Sequence, residues 1–117
     1  MKKIYYLKTC STCSRILKEI NPPKETILQD IKEEPITVKQ LEAMKDLAGT
    51  YEALFSKRAK LYKEMGLKNQ KLSEKDYKQY ILEHYTFLSR PVTIVNSKIF
   101  IGNSKSVTEK AKIALHE

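Results

Sequence analysis

Cysteine is scarce in this chain of 117 residues: Cys10 and Cys13 are the only two. Their spacing is too tight to clamp a long loop, and two thiols fall short of the usual ligand count of a closed zinc site. A disulfide-stapled fold and a structural zinc domain are thereby excluded, and redox chemistry becomes the leading use for the pair. Histidine is equally scarce. His84 is expected on the apolar side of a helix and His116 lies near the end of the chain, so neither is assigned an acid or base role. Long hydrophobic runs are missing as well. The apolar stretch at residues 4–7 is too short for the core of a signal peptide, and no later run approaches a membrane span. A cytoplasmic protein with no membrane partner is the expectation, and no metal or bound cofactor is anticipated. Repeats and low-complexity segments are absent too.

What the chain does have is positive charge. Lys and Arg number 22 against 14 for Asp and Glu, a net charge of +8, while 41% of the residues are hydrophobic, enough to build one ordered core at this length. A single domain over residues 1–117 is therefore expected. The basic excess is spread over both halves of the chain and is densest at residues 54–71, where Lys57, Arg58, Lys60, Lys63, Lys68 and Lys71 face only Glu64. Such a segment is either a solvated helix face or a surface for an anion or a partner; direct contact with nucleic acid is not required.

Residues 3–7 (KIYYL) read as a strand, 8–12 as a polar turn and 14–20 as a helix with Ile16, Leu17 and Ile20 on one side. Asn21, Pro22 and Pro23 stop that helix, and residues 26–29 read as a second strand. Thr37 with Gln40 has the form of a capping box for a helix from Val38 to Ala48, which Gly49 ends. Further helical pieces are expected at 51–54, 57–65 and, capped by Ser73, 73–84. Strands at 92–95 and 98–101 are separated only by Asn96 and Ser97, the signature of a tight antiparallel hairpin, and an amphipathic helix is expected over 107–116. This order is that of an α/β, thioredoxin-like fold: a mixed four-stranded sheet flanked by helices, with a helical insertion at about 38–84 between strands 2 and 3.

The segment Cys10-Ser11-Thr12-Cys13 falls where a strand hands over to a helix. Free N–H groups and the positive end of a helix favour thiolate over thiol, lowering a cysteine pKa from about 8.5 into the range of about 3.5–7.5. Cys10 is then the exposed nucleophile, and Cys13, one turn along, is the thiol that resolves a mixed disulfide on Cys10. Thr12 and Ser14 can cap the helix or line an anion pocket with the same oxygens. Arg90 is either a surface charge or, beside Cys10, a guanidinium that holds thiolate and offers a fork to an oxyanion. Pro91 opens the third strand and could be cis. Tyr6 is read as packing rather than as a proton donor.

Three blocks, YLKTCSTCSR at residues 6–15, LFSKRAKLYKEMGL at 54–67 and LSRPVTIV at 88–95, together resemble the arsenate-reductase-related (ArsC/Spx) family of thioredoxin-fold proteins over nearly the full length. The resemblance implies that Cys10 is the attacking thiolate, that Arg58 and Arg90 approach the oxyanion or thiolate, and that Pro91 is the cis-proline beside the cysteine loop. It implies glutaredoxin with glutathione, or thioredoxin, as external reductant and a small oxyanion or a disulfide as substrate. Where arsenate reductases of this family carry a third arginine after the Ile-Gly of the last strand, this chain has Asn103, followed by Ser104 in place of proline. Asn103 offers an amide at the substrate position but no fixed charge. The other branch resembled is the Spx type, a redox-sensing transcriptional regulator that binds the C-terminal domain of the RNA polymerase α subunit. Such regulators usually carry a charged tail beyond this length, which makes the oxidoreductase the first expectation and the regulator the second.

Overall fold

The computed structural model describes Met1–Glu117. Its elements are β1 (Lys2–Tyr6), α1 (Ser11–Ile20), β2 (Ile27–Asp30), α2 (Val38–Ala48), α3 (Lys60–Glu64), α4 (Glu74–Glu83), β3 (Val92–Val95), β4 (Lys98–Ile101) and α5 (Lys105–Leu115). Single 3-10 turns occur at Glu52–Leu54, Leu67–Asn69 and Tyr85–Phe87. The chain divides into two compact units, Met1–Pro35 with Arg90–Glu117, and Ile36–Ser89.

The first unit is a mixed four-stranded sheet in the order β2-β1-β3-β4, the thioredoxin-like α/β arrangement. β1 and β2 are parallel, which requires the crossover that α1 provides. β3 pairs antiparallel with both β1 and β4, and the two-residue connection Asn96-Ser97 closes the hairpin with Asn96 at φ 55°, the left-handed conformation such a turn favours. Ile4 stands opposite Leu28 on one side and Thr93 on the other, so its side chain projects from the middle of the sheet. There it joins Val95, Ile16 and Ile20 of α1, and Ala111, Ala114 and Leu115 of α5 in one buried cluster, with Tyr6, Leu17 and Phe100 at its margin. Both helices of the unit thus cover the same face of the sheet. Tyr6 serves packing, as its sequence context implies.

Helix ends follow local chemistry. Asn21 adopts the left-handed conformation and its N–H donates to Leu17 O at 2.9 Å, closing α1 just before two prolines. Ser104 caps α5, accepting from the Val107 N–H at 3.2 Å. At the same end of the sheet as the start of α1, the Arg90–Pro91 peptide is cis, and Pro91 O accepts from the Gly102 N–H at 3.0 Å.

The second unit is helical. Capping boxes at Thr37/Gln40 and Ser73/Asp76 start α2 and α4, which bury Leu41 and Met44, and Tyr77 and Ile81. Phe55 stacks on Phe87 and meets Tyr77, each with ring centroids 4.9 Å apart. Glu74 accepts from the N–H groups of Tyr51 at 2.7 Å and Glu52 at 3.1 Å, satisfying the donors of a 3-10 turn that has no cap of its own.

Several boundaries differ from expectation. The helix anticipated at 57–65 is confined to Lys60–Glu64, because Ala59 holds an extended backbone (φ −58°, ψ 138°) and Lys57 is tied back to Glu52 at 2.7 Å. The helix expected from Ser14 begins at Ser11, so Thr12 belongs to its first turn and not to the preceding loop. The second strand runs one residue later than read, through Asp30.

Candidate functional site

Cys10 is the N-cap residue of α1, with extended dihedrals (φ −89°, ψ 116°) and its N–H bonded to Leu7 O at 3.0 Å. That bond closes a turn over residues 7–10 directly after β1. The Cys10 carbonyl receives the first helical bond, from the Ser14 N–H at 3.1 Å. The sulfur therefore sits where a serine or aspartate oxygen would cap the helix. No bond of capping geometry forms, as suits a large, soft acceptor, and the first-turn N–H groups act on the sulfur mainly as oriented dipoles.

The two sulfurs differ sharply. Cys10 is half-buried, where the sequence reading had an exposed nucleophile, while Cys13 is fully buried as one turn of helix demands. Partial burial opposes ionisation of Cys10, but the Cys13 N–H, the Cys13 thiol, the Thr12 N–H and the Arg90 charge together outweigh it and hold the Cys10 thiol below its ordinary value. Cys13 moves the other way, pushed up to about 11 by burial and by the neighbouring Cys10 sulfur, against the opposing pull of the Leu7 N–H and Arg90. The pair therefore joins a sulfur that ionises more readily than an ordinary thiol to one that keeps its proton. Leu7, which no sequence motif singled out, serves both sulfurs: its carbonyl holds the Cys10 backbone and its N–H faces Cys13.

Of the residues anticipated for the site, the first unit brings together Cys10, Cys13, Thr12 and Arg90. Thr12 contributes through its backbone, and its side chain is half-buried. Ser14 is exposed and takes part only through its N–H. Pro91 is buried, adjoins Arg90 through the cis bond, and accepts from Gly102, immediately before Asn103. Asn103 is exposed between β4 and the Ser104 cap. Arg58 belongs to the second unit, where it is exposed in the segment leading to α3. Arg90 lies 80 residues from Cys10 in sequence, and no local signal places it beside a sulfur. No group of three or more His, Cys, Asp or Glu side chains is arranged to hold a metal ion, and no helix is long and apolar enough to cross a membrane.

The ArsC family model matches residues 5–111. Among solved structures, the chain is similar to an arsenate reductase from Vibrio cholerae, with 21% identity, 97% of each chain covered and a TM-score of 0.77. It is also similar to an ArsC-family-related protein from Bacteroides fragilis (22% identity, 94% of this chain and 96% of that one, TM-score 0.75). A third is an arsenate reductase related protein from Brucella melitensis (17% identity, 93% and 92% covered, TM-score 0.70). At these identities the structures speak for the fold. No curated protein matches the sequence.

Proposed function

Because this chain belongs to the ArsC family, whose pattern it carries across residues 5–111, we propose that it is a thiol-disulfide oxidoreductase resembling arsenate reductase, with Cys10 as nucleophile and Cys13 as resolving thiol. The observation that carries this reading is the opposite displacement of the two acidities, Cys10 lowered and Cys13 raised to about 11, within one helical turn. One sulfur is ready to attack while the other keeps its proton.

With a disulfide substrate, the Cys10 thiolate forms a bond to one substrate sulfur and the other leaves as thiolate. Cys10 then no longer carries charge, so its repulsion no longer adds to burial in holding the Cys13 proton, while the Leu7 N–H and Arg90 still favour the Cys13 thiolate. Cys13 attacks Cys10, its proton goes to the departing thiolate, and a Cys10–Cys13 disulfide remains. With an oxyanion such as arsenate, Cys10 displaces an oxygen, lost as water, and attack by Cys13 on the Cys10 sulfur returns two electrons to the central atom. Arg90 stabilises charge developing on leaving sulfur or oxygen. Thr12 and Ser14 at the helix start, Pro91 and Asn103 form the proposed substrate surround. Glutaredoxin with glutathione, or thioredoxin, would supply two electrons and two protons to restore the dithiol.

Cys10→Ser abolishes turnover of arsenate or a disulfide in this reading, and Cys13→Ser stalls at a mixed disulfide on Cys10 that mass spectrometry detects. Full activity in Cys10→Ser contradicts it. The exposed basic residues Arg58, Lys60, Lys63, Lys68 and Lys71 favour a second reading, a redox-sensing regulator that binds the RNA polymerase α subunit. Stoichiometric, redox-dependent capture of that subunit without catalytic turnover would select it.

A further inference from the structure

Asp30, the last residue of β2, stands opposite Tyr6 at the end of the parallel β1/β2 pair. Its backbone is fixed on both sides: the Ile31 N–H donates to Tyr6 O at 2.9 Å, and Asp30 O accepts from the Glu34 N–H at 2.8 Å. From this anchored position the side chain reaches across to the cysteine loop. Oδ1 accepts from the Lys8 N–H and from the Lys32 N–H, each at 3.3 Å. Lys8 is the first inner residue of the turn over residues 7–10, and Leu7, its neighbour, is the residue whose carbonyl holds Cys10 and whose N–H faces Cys13.

We propose that Asp30 is a positioning residue for the Cys10 nucleophile, its carboxylate locking the turn over residues 7–10 to the end of β2 and so holding the Cys10 sulfur over the first turn of α1. The inference rests on the oxidoreductase reading above and adds to it a residue that acts through the backbone and touches neither sulfur nor substrate.

Charge alone cannot explain a carboxylate here. An anion near a nucleophilic thiolate raises the cost of forming it, so an acid placed for its field would work against Cys10. A hydrogen bond from the loop N–H is instead a geometric constraint, and small displacements of a group from oriented dipoles are costly because those interactions depend on distance and direction. Sequence separation is what hides the residue: Lys8 and Asp30 are 22 positions apart, joined only by the register of β1 on β2.

The two effects of Asp30 have opposite signs, which makes them separable. Asp30→Asn keeps the Oδ1 acceptor and removes the charge; Asp30→Ala removes both. The pH dependence of Cys10 alkylation in the full chain, carrying Cys13→Ser to isolate one thiol, reads the thiolate midpoint. Positioning predicts that Asp30→Ala raises the midpoint by about one pH unit, an approximately tenfold fall in alkylation rate at pH values well below both midpoints. Asp30→Asn should leave it unchanged or lower it. Amide exchange at Lys8 and Cys10 should quicken in Asp30→Ala and not in Asp30→Asn. Should Asp30→Ala not fold, Asp30→Ser, whose side chain is too short to reach the loop, takes its place. A midpoint in the removal variant equal to or below that of its parent overturns the proposal while leaving the oxidoreductase reading intact. An ordinary Cys10 midpoint in the wild-type chain is a failure of that reading instead.

Discussion

Cys13 is a fully buried thiol whose proton is held by its surroundings, and this has a consequence for stability. An acid whose pKa is raised on folding favours the unfolded state wherever the unfolded chain has already lost its proton. For reduced Cys13 the unfolded value is about 8.5, and the folded value is about 11. The reduced protein should therefore lose stability as pH rises across that window, and Cys13→Ala should lack this part of the loss. Denaturant unfolding at several alkaline pH values, wild type against variant, checks it; parallel curves would show that Cys13 titrates normally. Cys10 has the opposite sign. Its depressed value contributes stability that is complete above the ordinary thiol pKa and is lost as pH falls through the folded one.

At the scale of elements, the start of α5 depends on Ser104, whose hydroxyl accepts from the Val107 N–H and whose carbonyl accepts from the Thr108 hydroxyl at 2.8 Å. Ser104→Ala should cost about 1 kcal/mol, seen as a lower urea midpoint with an unchanged slope. A loss indistinguishable from zero would mean that Lys105–Leu115 is held by packing alone. Much of this layout was legible because its determinants are local. Thr37 with Gln40, Asn21 before two prolines and Asn96-Ser97 each fix an end or a turn by their own backbone chemistry. The helix around Arg58 was overextended because the apolar spacing at 57–65 does not reveal the extended Ala59 or the Lys57–Glu52 ion pair. The cysteine pair was legible for the same reason as the caps. Arg90 was reached through family resemblance, and Asp30 not at all, since strand register alone brings it to the loop.

For the whole molecule, the +8 net charge is a long-range property that acts on encounter rather than on fold. Exposed charges are screened beyond a Debye length of about 8 Å at physiological salt. Capture of an anionic substrate or of an acidic reductase should therefore weaken as salt rises. We expect kcat/KM to fall with ionic strength while kcat changes little, and a salt-independent kcat/KM would mean that the basic surface plays no part in encounter. The hydrophobic cluster around Ile4 ties β1, β3, α1 and α5 together, and the cysteine loop springs from the strand at its centre. Ile4→Ala should cost about 2–5 kcal/mol, measured by thermal or urea unfolding. A negligible change would contradict the central place given to this side chain.

The claim on which the account turns is that the Cys10 thiol is more acidic than an ordinary one, supported by the first turn of α1, Cys13 and Arg90. The most direct measurement is the rate of Cys10 alkylation against pH in the reduced protein, compared with the same profile for Arg90→Ala. The predicted result is a midpoint below the ordinary thiol value of about 8.5 that moves upward when Arg90 is removed. A midpoint at or above that value in the wild type, unmoved in Arg90→Ala, would contradict the account.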